Sequence, residues 1–81
     1  MKTESGKVSG PIRELMDRNK FGRVIFKVSD FRQQFNTRTA ALGNRNRHGF
    51  DIYTKSNGEH ELHVIKRGCE DKAAFVVDLR A

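Results

Sequence analysis

Residues 29–50 read SDFRQQFNTRTAALGNRNRHGF, and the number of helices in this stretch decides the fold. Ser29 or Asp30 can cap a helix start, Gln33 stands three residues after Asp30 in capping-box position, and Phe31 and Phe35 fall one turn apart on a common face. Asn36 is also a good N-cap, and Gly49 can take the left-handed conformation that stops a helix. The spacing therefore predicts two helices that meet at Asn36, the later one spanning residues 37–48. That later helix carries Arg38, Arg45, Arg47 and His48 and no acidic residue.

Working outward, RVIFKV alternates Val24, Phe26 and Val28 with Arg23, Ile25 and Lys27, a β-branched pattern that reads as a short strand. Before it, Pro11 opens a helix in which Ile12, Leu15 and Met16 repeat at i, i+3, i+4 as far as Phe21 and Gly22. Residues 1–10 offer little to bury and read as a flexible tail ahead of a single domain over 11–81. On the C-terminal side, Asn57-Gly58 is a two-residue hairpin signal between strands over Phe50–Thr54 and His60–Ile65. A last alternating run, AAFVVDL, places Phe75, Val77 and Leu79 on one face. The expectation is an α+β fold: three helices, a short strand, a β-hairpin and a C-terminal strand.

With 81 residues, the chain has material for one core and buries only about 60–65% of its unfolded surface, which argues against a deep catalytic cleft. A formal net charge of +6 directs attention to an acidic partner, nucleic acid first. The single Cys69 excludes an internal disulfide framework. No apolar run reaches the ~18 residues that span a bilayer, and MKTESGKVSG lacks the apolar stretch of a secretory signal, so the expected location is cytoplasmic, without a membrane partner.

The element order resembles the winged helix-turn-helix family, most specifically in RNRHGFDIYTKSNG, where an apolar helix runs into Arg-rich residues, Gly, an aromatic residue and then the hairpin. The resemblance covers roughly residues 11–67. It implies a third helix that enters a groove of duplex DNA, a hairpin wing beside it, and a role in transcription regulation or replication control of bacterial or bacteriophage type. In the family's register Thr37, Ala40, Asn44 and Arg47 face outward; with the helix rotated so that Ala40, Ala41 and Leu42 face inward, Arg38 and Arg45 join the surface. Candidate nucleic-acid-binding residues are Asn36, Thr37, Arg38, Asn44, Arg45 and Arg47, with Lys55 in the wing and Arg32 as a phosphate clamp. Arg and Asn suit this task because they pair bidentately with guanine and adenine, whereas cations elsewhere hold phosphates. Gly43 in mid-helix costs about 1 kcal/mol relative to Ala, which points to close backbone approach or a break.

Other chemistry has less support. His60, His63 and Cys69 are fewer than the four ligands of a structural zinc site, so neither a metal nor another cofactor is expected. No nucleophile, base and phosphate loop come together by spacing, which argues against an enzyme. The rival reading is a protein-interaction module, with the strand from Ala73 to Leu79 offering an edge for a homodimer or a host protein.

Overall fold

In the computed structural model of the chain, residues 10–12, 21–49 and 51–80 are described. Of the tail expected over residues 1–10, residues 1–9 lie outside them and Gly10 is helical; the helical positions Leu15 and Met16, and Phe50, also lie outside. Helical residues 10–12 (α1) are followed by β1 (Arg23–Lys27), α2 (Phe31–His48), β2 (Ile52–Ser56), β3 (Glu61–Lys66) and β4 (Ala74–Asp78).

The stretch that decides the fold makes one helix. Asp30 caps it, its carboxylate accepting from the Gln33 amide at 2.9 Å while the Gln33 side chain accepts from the Ser29 amide at 2.6 Å, a reciprocal box. From there α2 runs for 18 residues to Gly49, whose φ of 73° ends it and whose N–H donates to the Arg45 carbonyl at 2.8 Å. Asn36 is an ordinary exposed position inside this helix. The expected turn is absent, and with it the winged helix-turn-helix arrangement of three helices and a wing. A break at Asn36 would strand several carbonyls before it and several amides after it; with no Pro or Gly between Phe31 and Leu42, continuous helix satisfies them all.

The hairpin is likewise no protruding wing. Its strands are half of a four-stranded sheet in the order β2-β3-β1-β4. β3 lies antiparallel to both β1 and β2, whereas β4 lies parallel to β1. Strand boundaries shift as well: residues 57–60 separate β2 from β3, and Gly58 takes the positive φ of 72° in that turn.

Pairing assigns each side chain to a face. Val24, Phe26, Ile52, Leu62 and Val64 are fully buried on the side covered by α2, joined there by Ala41, Ile12 of α1 and Leu79. Phe75 and Val77 of β4 pack against this cluster, and the Phe75 ring meets that of Phe21 at 5.2 Å between centroids. Burying each such side chain contributes about 1.5–3 kcal/mol, so this layer is the main source of stability. The other face of the sheet has no element over it among the described residues. No helix among them is long and apolar enough to cross a membrane.

Candidate nucleic-acid interface

α2 docks through Gln34, Thr37 and Ala41, all buried, and not through an aliphatic stripe. Gln34 is the anchor. Its amide donates to the carbonyls of Gly58 and Glu61 at 2.8 and 2.9 Å and accepts from the Ser56 hydroxyl at 3.1 Å, and that hydroxyl accepts from Arg38 at 2.6 Å. A polar side chain with only 4% exposure is thereby satisfied at every hydrogen-bonding position that the hairpin turn presents to it. The helix is held against the hairpin at a fixed rotation.

That rotation sorts the candidate residues. Arg32, Asn36, Arg45 and Arg47 are exposed. Thr37 is not: at 4% exposure it lies in the core, which corrects the outward position expected for it. Arg38 is half-buried and occupied with Ser56, and Asn44 is half-buried with its amide turned back on the Ala40 carbonyl at 3.1 Å. Lys55 belongs to β2 in the row Lys55–His63–Ile25, on the uncovered face of the sheet, so the structure separates it from the helix it was expected to assist.

The outward stripe of α2 is Arg32, Asn36, Thr39, Gly43, Asn46 and Arg47, spaced at i, i+4, i+7, i+11, i+14 and i+15. Arginines stand at its two ends, ~22 Å apart at 1.5 Å per residue. Neutral side chains lie between them, and a Cβ built on Gly43 would meet nothing within 4 Å. Packing therefore gives no reason for a glycine there. Among all 18 residues of α2 there is no Asp or Glu, so nothing on the helix itself repels a polyanion. Phe31 and Phe35 flank Arg32 with 64% and 62% exposure, an aromatic edge the core does not use.

The uncovered sheet face carries a different arrangement. Glu61 is its hub, accepting from Lys27 at 2.6 Å, Asn57 at 2.9 Å and His63 at 3.2 Å, and the Lys27 bond above all holds its carboxyl down at about 2. Arg80 does the same for Asp78, also to about 2. Tyr53 donates to Glu70 at 2.9 Å beneath the Arg67 guanidinium, 5.0 Å from its ring centroid, and burial followed by that hydrogen bond raises its pKa. Around Tyr53 a depression of about 480 Å³ is lined by Arg23, Lys55, His63, Ile65 and Glu70. Sequence reading missed this face because it depends on which strands become neighbours. No group of three or more His, Cys, Asp or Glu among the described residues can hold a metal. The chain matches no family model, no curated protein and no solved structure.

Proposed function

We propose that this protein binds nucleic acid, duplex DNA in the first place, by setting the outward stripe of α2 against it. The observation that carries the reading is an 18-residue helix without a single carboxylate, with Arg32 and Arg47 at the ends of its exposed stripe and an unexplained glycine at its middle. A major groove about 12 Å wide admits a helix, and Gly43 removes the side chain where the helix axis would come closest to the floor of the groove. Arg32 and Arg47 serve as phosphate contacts from the stripe and Arg45, off the stripe, as one from the exposed last turn, and these contacts supply most of the affinity and release counterions; Asn36 and Asn46 are the side chains free to meet base edges. The test is fluorescence anisotropy of a labelled duplex at two salt concentrations, with wild type and Arg45→Ala/Arg47→Ala. Affinity that falls steeply with salt and at least tenfold in the double variant supports the reading. Duplex binding that is absent at low salt, or indifferent to the double variant, removes it.

One observation favours a second reading, a contact with another protein chain. Among the described residues β4 pairs only with β1, which leaves its outer edge open there, and Val76 on that strand is 53% exposed. Strand addition along β4 would persist in high salt, where binding through α2 does not.

A further inference from the structure

We infer that the uncovered face of the sheet is a second binding surface, shaped for an unpaired nucleic-acid strand, with one base seated over Ile65 and Tyr53 and the adjoining phosphates held by Arg23 and Lys55. The inference does not rest on α2, which lies on the other side of the sheet.

The strand register places side chains on this face in three rows. Tyr53, Ile65, Arg23 and Ala74 form the first; Lys55, His63, Ile25 and Val76 the second; Glu61, Lys27 and Asp78 the third. In the third row the charges are spent on one another, Lys27 on Glu61 and Arg80 on Asp78. In the first two they are not. The Lys55 side chain makes no hydrogen bond or ion pair among the described residues, and that of Arg23 only donates from Nε to the Lys72 carbonyl at 3.2 Å. Unspent positive charge on this face is therefore concentrated at two opposite corners of the depression around Ile65. By strand spacing and rise those corners are ~12 Å apart at the backbone, a span that two long cationic side chains shorten toward successive phosphates of an extended strand.

The floor between the corners suits a base and not a third phosphate. Ile65 is buried and apolar, and Tyr53 beside it is fixed at both ends, by Glu70 at its hydroxyl and by Arg67 over its ring. A ring held in place loses little freedom when a base stacks on or beside it, and such contacts contribute about 1–3 kcal/mol per base. Glu70 closes the Tyr53 end. Its carboxylate accepts from Tyr53 at Oε2, from the Gly68 amide at 3.4 Å and from its own backbone amide, and the roughly four lone-pair sites of a carboxylate leave one to accept from the exocyclic amine of adenine, cytosine or guanine. The same carboxylate excludes a phosphate from that end, so the ligand has a direction. A depression of about 480 Å³ lies within the ~300–1,000 Å³ range of small-molecule sites.

The chain supplies its own reporter, since Tyr53 is its only tyrosine and there is no tryptophan. The experiment is a titration of a five-nucleotide single strand of mixed A and C, read by tyrosine emission, with inorganic phosphate as a parallel titrant. Wild type, Lys55→Gln, Arg23→Gln and Arg45→Ala/Arg47→Ala are compared, each with its fold checked by circular dichroism. The expected result is saturable quenching in wild type and in the α2 double variant, and an affinity at least fivefold weaker in Lys55→Gln. Quenching by phosphate alone at the same concentration, unchanged affinity in Lys55→Gln, or strand binding without any change in emission would each overturn the proposal, as would no strand binding at low salt. Should wild type bind the strand but no duplex, the α2 reading falls and this one stands.

Discussion

The two faces of the sheet are built from the same strands and do opposite work. In β1, Val24 and Phe26 are fully buried, while Arg23, Ile25 and Lys27 on the other side are half-exposed. One face carries the apolar core and is closed by α2, α1 and Leu79; the other holds the Glu61 hub, the Tyr53 stack and the unspent cations. The period of two along a strand lets a small protein separate stability from surface chemistry without a second domain. The widest way to break this comparison is to truncate one large side chain on each face. Phe26→Ala is expected to lose about 3–5 kcal/mol, the range for a fully buried aromatic ring. Val76→Ala, at an exposed position of the open face, should stay within about 0.5 kcal/mol of wild type. Urea unfolding measures both, and comparable losses would show that something covers the open face as well.

A smaller effect is expected at the seam where the faces share a backbone. Gly22 precedes β1 and is tied on both sides, donating to the Ala73 carbonyl and accepting from the Lys66 amide, each at 3.1 Å. A Cβ there would fall 2.4 Å from the Cys69 carbonyl oxygen and 2.2 Å from the Lys72 Cβ. The clash is partly with backbone, which cannot swing away, so Gly22→Ala should cost about 1–3 kcal/mol, the usual penalty of overpacking. Since ~1 kcal/mol moves the melting temperature of a domain this size by about 4–8 °C, a thermal scan reads the loss directly. An unchanged melting temperature would mean that the chain between Lys66 and Ala73 is free to retreat, and that the two faces are joined less firmly than the hydrogen bonds indicate.

The residues that were legible and those that were not differ in how far their partners lie along the chain. Asp30, Gln33 and Gly49 announce the ends of α2 because caps bond within a few residues. Asn36 has the same local chemistry and caps nothing, because a cap forms only where the backbone leaves a helix, and the buried Gln34, Thr37 and Ala41 hold it in one. Gln34 gave no signal at all; its partners Ser56, Gly58 and Glu61 are more than twenty residues away. The strands could be placed approximately by alternation, but a parallel β1–β4 pair leaves no mark on either strand. The position of Lys55 opposite α2, and the whole of the Tyr53 depression, follow from that pairing order. For Arg32, Arg45 and Arg47 the structure adds only that they are helical and exposed, since charge at such a position needs no partner to be seen in the sequence.

Gly43 sharpens a different contrast, between the docked side of α2 and its outward stripe. With open space where a Cβ would go, Gly43→Ala should stabilise the protein by about 1 kcal/mol through helix propensity alone. If the stripe approaches a duplex as closely as proposed, the same methyl should weaken duplex binding while thermal stability rises. A variant that is both more stable and equally tight in binding would move the contact away from Gly43, toward the Arg45 end of the helix.

The smallest effect distinguishes the faces by pH. Among the described residues, the covered face contains no titrating side chain among its fully buried members, so the acid-sensitive groups described are those of the open face and the outer surface. On the open face, the Glu61 carboxyl is lowered from 4.5 to about 2, chiefly by its bond to Lys27 and then by those to His63 and Asn57. A depressed folded-state value means that this stabilisation is complete above the unfolded value near 4.5 and is lost as the pH falls toward 2. The groups are partly exposed, so the loss is that of a surface pair, reduced further by salt. Urea midpoints at pH 6, 4.5, 3 and 2 should decline more steeply for wild type than for Glu61→Gln, which has no proton to take up there. Parallel declines over that window would show that Glu61 contributes nothing, leaving Asp78, held down to about 2 by Arg80, and Glu70, also lowered, as the carboxylates that acid acts upon.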